Sequence, residues 1–347
     1  MADRSQRAYW IEVGGLALAA VLFFRFGLLM VAFLVPIQIC WVRRGERAGL
    51  VSSGLFLGAL TVLKLVDYLR IRSVLEVAGT GMGLLFLDIV LPVAFLAGLY
   101  LLNTPQLHLR VGESVRSLGI VERLVATVVA ATVIYVPTIV LVYLSGSVDG
   151  IVAAQVELLT SILSAVNATE EEIVALTRLA MRIFLSGFLF GFFVMMVGNW
   201  WIGTRLALRG RFALPQENEV AGRLRELSLA KIRLPVVMVW IVIAAWGAVL
   251  LSMLVDAGWF TFVIWNTACL TLGLYSIQGL AIVWHLLDRR KVGRPQRIGL
   301  AVGLVVGLLI PGLNLVFLLG LPGLGISEVW VNYHRFEEDG GKNEGNS

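Results

Sequence analysis

The 347 residues would fill two ordinary soluble domains, but 59% of them are hydrophobic, only 15% are charged and the mean hydropathy is +0.88. Soluble domains contain about 45–50% apolar and about 25% charged residues, so this composition excludes a soluble chain, a disordered chain and a collagen-like repeat. Two cysteines inside apolar runs exclude a disulfide scaffold, and the net charge of +5 does not point to nucleic-acid binding.

Ten apolar segments follow one another along the chain. Five reach the roughly 20 residues that cross about 30 Å of hydrocarbon. These are residues 78–102, 124–144, 183–202, 235–255 and 259–287. Shorter runs lie at both ends of the chain, at 11–24, 26–41, 48–63, 298–310 and 313–331. We predict an all-α polytopic transmembrane bundle of 8–10 membrane segments, favouring ten crossings over eight crossings with re-entrant ends.

Breaks in the terminal runs predict short or broken hairpins at both ends. Arg25 interrupts the first long apolar stretch and marks a hairpin tip, and Pro311 with Gly312 interrupts the last one. Residues 1–333 are predicted to form a single transmembrane domain. The polar tail 334–347 has no apolar side chains to bury and is predicted to be disordered.

The distribution of basic residues predicts the orientation. If all ten segments cross, 22 of the 28 Lys and Arg residues fall on one side. The other six are Arg25, Lys64, Arg70, Arg72, Arg178 and Arg182. Since basic loops stay in the cytoplasm, both termini are predicted to be cytoplasmic in a bacterial inner membrane.

Two long loops carry helical patterns. In the outer loop 145–182, Thr169 and Glu172 form a capping-box pattern, which predicts a helix lying on the outer surface. In the basic inner loop 203–234, residues 217–233 mix leucines with cations. This pattern predicts either an interfacial helix attracted to anionic lipid or a docking surface for a cytoplasmic partner.

Small residues one helical turn apart predict close helix packing. The clearest are Gly299, Gly303 and Gly307, followed by Gly187 and Gly191. Internal packing is the favoured interpretation, and an interface between subunits is the alternative.

Polar residues inside the apolar segments are the candidate ligand-binding residues. Asp88 lies near the middle of segment 78–102, where a charge costs about 2.5–3.5 kcal/mol unless it is paired, neutral or hydrated. Weaker candidates are Asn266, Gln278, Arg25, Asn199 and Asn314. The alternatives are structural: hydrogen bonds between helices for Asp88 and the amides, and contact with headgroups for Arg25.

Catalytic patterns do not occur. The three histidines show no HExxH spacing, no GxSxG sequence is present, and the glycine run 79–83 opens an apolar helix rather than following a strand. We therefore expect no enzymatic activity, no cofactor and no metal site.

Three stretches carry a resemblance to a family: LAKIRLPVVMVW (229–240), YSIQGLAIVWHLLDRRK (275–291) and GISEVWVNYHRF (325–336). They resemble the YybS-like family of uncharacterised bacterial multi-pass membrane proteins, which is distantly similar to the substrate-binding S components of energy-coupling-factor transporters. The resemblance implies a small-molecule site within the membrane and docking onto a membrane partner. This chain has more helices than an S component, and no ligand residue carries over.

These observations predict a transporter-like or small-solute-binding membrane subunit. The alternative is a non-transporting scaffold or assembly factor that recruits a cytoplasmic partner through the basic inner loop.

Overall fold

The computed structural model describes residues 2–77, 81–104, 108–111, 114–117, 119–144, 156, 169–209, 233–255, 257–258 and 260–331. The chain divides into two compact units, Met1–Leu224 (unit 1) and Arg225–Ser347 (unit 2). The elements of unit 1 are α1 (Ala2–Arg25), a 3-10 helix (Gly27–Ala32), α2 (Leu34–Arg44), α3 (Glu46–Val77), α4 (Gly81–Asn103), β1 (His108–Val111), β2 (Ser114–Ser117), α5 (Ile120–Leu144) and α6 (Glu170–Arg209). Those of unit 2 are α7 (Val237–Leu254), α8 (Phe260–Arg289), α9 (Arg294–Leu309) and α10 (Leu313–Val331).

The helices confirm a polytopic helical membrane protein. Within the described ranges, α1, α3, α6, α7, α8 and α10 are the six that contain a stretch long and apolar enough to cross a bilayer. Each of the ten predicted apolar segments overlaps a helix. The amphipathic part of the inner loop, 217–232, and the tail beyond residue 331 lie outside the described residues, so the partner surface and the disordered tail stay predictions, as does the single domain.

The second apolar segment, residues 26–41, differs from a crossing helix. Its α-helical part, α2, has 11 residues and begins only at Leu34, after the 3-10 helix. At 1.5 Å per residue α2 extends roughly 16 Å, about half of the hydrocarbon thickness. Pro36 lies in the first turn of α2, where a helix has no internal partner for its amide donors. The segment is therefore a broken helix, made of a six-residue 3-10 helix followed by α2, rather than one continuous α-helix.

Local signals at the other helix ends are confirmed. α1 ends at Arg25, and the break between α9 and α10 contains Gly312, whose φ of 87° favours glycine. The predicted capping box is formed at the start of α6. The Thr169 backbone N–H donates to Glu172 Oε2 (2.9 Å), and the Glu172 N–H donates to Thr169 Oγ1 (3.3 Å). The helix that the capping box opens does not lie separately on the outer surface but continues without a break through the apolar segment 183–202.

A chain of phenylalanine rings forms the centre of unit 1. Phe33, just before α2, stacks on Phe56 of α3 with ring centroids 5.5 Å apart, and meets Phe24 of α1 edge to face at 5.2 Å. Phe33 also contacts Phe95 of α4, which stacks on Phe192 of α6 at 4.4 Å. These five rings are buried, and they join four helices around the point where the second segment changes from 3-10 helix to α-helix.

Two glycines lie at the point where α8 and α10 cross in unit 2. A Cβ placed on Gly279 of α8 would lie 1.9 Å from the Leu321 carbonyl oxygen, and one on Gly325 of α10 would lie 2.1 Å from the Tyr275 carbonyl oxygen. The two backbones therefore touch where both residues lack a side chain. The pairing of Tyr275 with Gly325 and of Gly279 with Leu321 makes the two helices antiparallel.

The glycines predicted to pack mostly lie in open space. Gly307 does approach a neighbour, since its Cβ would lie 2.3 Å from the Phe317 ring. A Cβ on any of the other four would meet nothing within 4 Å; they are Gly187, Gly191, Gly299 and Gly303. In unit 1 the close contacts are at glycines not selected by spacing: Gly49 against Trp41, Gly98 against Met196 and Gly203 against Gln38.

A short hairpin, not predicted from the sequence, lies between α4 and α5. β1 pairs antiparallel with β2, with His108 opposite Ser117 and Val111 opposite Ser114. It falls in a predicted inner loop and leaves the helical class unchanged.

Candidate functional site

Four charged residues meet at one end of unit 1. The Arg25 guanidinium, at the end of α1, pairs with the Asp67 carboxylate of α3. Lys64, one turn earlier on α3, donates through Nζ to Asp88 Oδ2 of α4 at 2.5 Å. We call these four residues the charge cluster. It brings together two of the predicted ligand residues, Arg25 and Asp88, through partners on the helix between them.

The charge cluster lies near a membrane boundary rather than at the middle of the bilayer. Along α3, Lys64 is roughly 27 Å from Glu46 and Asp67 is roughly 32 Å from it. These lengths are close to the full hydrocarbon thickness of about 30 Å. Asp88, expected from the sequence to lie near mid-segment, is two turns from the start of α4 and is fixed at the level of Lys64.

A second set of ion pairs joins α1 to the C-terminal end of α2, at the end of unit 1 opposite the charge cluster. The Glu12 carboxylate of α1 accepts from Arg44 Nε at 2.8 Å, and Arg43 Nη1 lies 3.7 Å from Glu12 Oε1. These contacts hold the C-terminal end of α2 against α1. Unit 1 therefore has ion pairs near both ends of its apolar core, and the buried Phe33 region lies between them.

The ion pairs of the charge cluster are open on one side. The side chains of Asp88 and Arg25 remain 47% and 44% exposed, whereas Lys64 is 22% exposed. A half-exposed charge is unfavourable against lipid tails, so the open side fits the aqueous boundary. The cluster can present the Asp88 carboxylate and the Arg25 guanidinium to a molecule arriving from that boundary, while Lys64 and Asp67 of α3 hold these two groups in place.

Gln38, Asn103 and Thr204 form a separate cluster of polar side chains, and this cluster is buried. Gln38 Nε2 of α2 donates to Asn103 Oδ1 of α4 (3.0 Å) and to Thr204 Oγ1 of α6 (2.9 Å). In return Asn103 Nδ2 donates to Gln38 Oε1 (2.6 Å) and to the Leu99 carbonyl (3.0 Å). Because these amide groups satisfy one another, this polar cluster joins α2, α4 and α6 and leaves no place for a solute.

Asn199 of α6 holds the start of α2. Its Oδ1 accepts from the Leu34 backbone N–H (3.2 Å), and its Nδ2 donates to the Val31 carbonyl (2.6 Å) and to the Met195 carbonyl (2.7 Å). A helix start buried in a membrane protein needs such partners, because lipid offers none. The side chain of Asn199 therefore permits α2 to begin inside the unit.

Removing one member of the buried amide pair is expected to cost more than removing both. Gln38→Leu or Asn103→Leu leaves the other amide buried without its partner, and each should lower the free energy of unfolding by about 1–3 kcal/mol. The double variant leaves no unpaired amide and should lose less than the sum of the two. Denaturant unfolding in mixed micelles measures all three variants. Strictly additive losses would contradict the interaction.

The two predicted ligand residues of α8 make structural contacts. Gln278 Oε1 accepts from the Leu234 backbone N–H at 3.0 Å and so holds the segment that leads into α7. Asn266 Nδ2 donates to the Phe262 carbonyl at 2.8 Å, one turn earlier on the same helix. The two amides are roughly 18 Å apart along α8. They do not combine into one small-solute site.

Glu328 is a buried acidic residue that sequence reasoning did not select. It lies one turn after Gly325 on α10 and is 2% exposed. The sequence does contain a signal for this site, because Glu328 places a carboxyl group inside the apolar run 313–331. Its place near the end of that run suggested the membrane boundary, but the antiparallel crossing sets it at the level of the middle of α8.

Comparison with known proteins gives one partial match. Residues 219–322 match the sequence model of a family described as "Predicted membrane protein (DUF2232)". Over that part of the chain the protein is similar to an uncharacterised family of membrane proteins, and the charge cluster lies outside it. No curated protein and no solved structure matches. The resemblance to the YybS-like family and to S components stays a prediction.

Proposed function

We propose that the protein is a transporter-like, solute-binding membrane subunit and that the charge cluster contacts the solute. The strongest support comes from two ion pairs, one between α1 and α3 and one between α3 and α4. Each leaves one charged group about half exposed at the same end of unit 1, with Asp88 from one pair and Arg25 from the other. Charged residues on membrane helices usually mark a solute or ion path.

The charges favour a small zwitterionic solute. A solute carboxylate can bind Arg25 and a solute ammonium group can bind Asp88, because these are the more exposed members of their pairs. Each new contact resembles the one that the residue already makes within the protein. The exchange leaves the cluster electrically neutral, so binding does not bring a net charge to the membrane boundary.

The interrupted second segment also supports a transporter-like role. Many transporters use helices that break at membrane depth, where irregular backbone is tolerated only when protein covers it. Here the 3-10 helix and α2 meet at Phe33, which is buried among aromatic rings and followed by a start held by Asn199. The break is thus covered by protein on the side of α6.

Asp88→Asn is expected to weaken solute binding about tenfold or more while leaving expression intact. The substitution removes the charge that attracts a solute ammonium group, and hydrogen bonds to charged groups contribute about 1.5–3 kcal/mol. Native mass spectrometry of the protein purified in mild detergent measures the bound small molecule in both forms. Amino acids added to solute-free protein serve as probe zwitterions.

The matched control exchanges the two charges of one ion pair. The double variant Lys64→Asp/Asp88→Lys keeps an ion pair between α3 and α4, so it should unfold at the same temperature as the unaltered protein. It should nevertheless lose the solute, since the exposed group is now a cation. Equal solute binding by the unaltered protein, Asp88→Asn and the exchanged pair would show that the cluster only joins helices.

A further inference from the structure

The turn between α8 and α9 places cations directly next to an apolar helix face. Arg290 and Lys291 are exposed in this turn, and exposed apolar side chains of α9 begin at Ile298. We propose that this turn and the adjoining face of α9 bind one anionic phospholipid. Its phosphate contacts Arg290 and Lys291, and one acyl chain lies along α9 over Gly299 and Gly303.

The turn is held in one conformation by its own hydrogen bonds. Arg297 Nε donates to the Val292 carbonyl at 2.9 Å, and the Arg297 guanidinium pairs with Asp288. The Gly293 N–H donates to Gln296 Oε1 at 3.2 Å at the start of α9. The charge of Arg297 is therefore neutralised inside the turn, while Arg290 and Lys291 are presented outward on a fixed backbone.

Lys291 occupies a backbone position that suits glycine. Its φ is 50°, and the Val292 N–H donates to the Leu287 carbonyl at 3.1 Å, which closes the end of α8 in the manner of a Schellman cap. A residue with a β-carbon is disfavoured there, and glycine is not. Lysine is therefore less favourable than glycine for the backbone at this position, but it places an exposed ammonium group on the turn.

The face of α9 below the turn has room for an acyl chain. A Cβ on Gly299 or on Gly303 would meet no atom within 4 Å, so the absent side chains leave a shallow furrow about one turn long. Ile298 and Val302 flank it with exposed apolar surface. One turn further, the space beside Gly307 is filled by the Phe317 ring of α10, which marks the end of the furrow.

An anionic phospholipid matches both parts of this surface. A soluble phosphate would contact the cations and leave the furrow empty, whereas a second helix would fill the furrow and leave the cations without a counter-charge. A lipid carries the anion and the apolar chain in one molecule. Its phosphate can therefore contact the exposed cations of the turn while its acyl chain contacts the exposed apolar residues of α9. Basic turns on membrane proteins gain affinity for anionic lipid with each cation.

The test titrates the full-length protein in mild detergent with phosphatidylglycerol and, separately, with phosphatidylcholine, using native mass spectrometry. Phosphatidylglycerol is expected to bind in one copy more tightly than phosphatidylcholine. Lys291→Gly should weaken phosphatidylglycerol binding on the order of fivefold, as expected for one cation, while the melting temperature stays the same or rises. Gly303→Leu, which fills the furrow, should weaken binding of both lipids.

Two substitutions elsewhere serve as matched controls. Arg47→Gln removes an exposed cation near the end of another helix, and Gly54→Leu fills an equally open glycine position on α3. Neither should change the binding of the single lipid. Equal losses in Arg47→Gln and Lys291→Gly would overturn the proposal in favour of diffuse attraction. Displacement of the lipid by inorganic phosphate, or a dimer that Gly303→Leu converts to monomer, would overturn it in favour of a soluble anion or a second helix.

Discussion

Gly325→Ala is expected to break the contact between α8 and α10 and to lower the free energy of unfolding by about 3 kcal/mol or more. The added methyl would lie 2.1 Å from the Tyr275 carbonyl oxygen and 3.0 Å from the Gly279 backbone nitrogen. Both neighbours are backbone atoms of α8, so no side-chain rotation can make room and the helices must separate. Unfolding in mixed micelles, followed by tryptophan fluorescence, measures the loss.

Gly323→Ala is the matched control on the same helix. A Cβ at Gly323 meets nothing within 4 Å. Alanine is a better helix former than glycine by about 0.5–1 kcal/mol, so this variant should be as stable as the unaltered protein or more stable. The two alanine variants therefore have opposite expected signs. Equal stability of both would contradict the backbone contact between α8 and α10.

Asn199→Leu is expected to release the start of α2 and to cost about 2–4 kcal/mol. Leucine can neither accept from the Leu34 N–H nor donate to the Val31 carbonyl, and both backbone groups lie inside unit 1. Each buried polar group left without a partner costs about 1–3 kcal/mol. Hydrogen exchange provides a local readout, because the Leu34 amide should exchange much faster in the variant.

Asn314→Leu provides the comparison for that result. Asn314 Oδ1 accepts from the Gly312 N–H at 3.1 Å, but this bond lies in an exposed turn where water can replace it. The change in unfolding free energy should stay within about 0.5 kcal/mol. If the Leu34 amide remained as protected in Asn199→Leu as in Asn314→Leu, another group would have to hold the start of α2.

Local signals were sufficient to predict much of the fold. A charge at Arg25, the Pro311–Gly312 pair and the spacing of Thr169 and Glu172 each act within a few residues, and each marks a helix end in the structure. The start of α2 was not predictable in this way. It depends on Asn199, which lies 165 residues from Leu34 in the sequence, and no local pattern records that contact.

Residues of the charge cluster were only partly predictable for the same reason. Asp88 and Arg25 stand out in apolar runs, but Lys64 follows the end of the apolar run 48–63, where the sequence predicts a loop. In the structure α3 continues to Val77, beyond the apolar run. Lys64 and Asp67 are therefore helical and contact the neighbouring helices α4 and α1.

Glycine spacing misled for a different reason. The GxxxG pattern selected glycines that share a helix face, but whether a face meets another helix depends on the tertiary arrangement. Gly299 and Gly303 have the spacing and no neighbour, whereas Gly279 and Gly325 form the tightest backbone contact of unit 2 without belonging to a repeated motif. A close contact needs a single glycine at the crossing point, and one sequence does not show where helices cross.

Side-specific cysteine labelling tests most directly whether the charge cluster opens to water at the boundary opposite the α2–α3 turn. In a chain whose Cys40 and Cys269 are replaced by alanine, Asp88→Cys and Arg47→Cys are treated separately with a membrane-impermeant maleimide. We expect labelling of Asp88→Cys in intact cells and of Arg47→Cys only after permeabilisation. Labelling of both positions from the same side, or no labelling of Asp88→Cys from either side, would contradict this expectation.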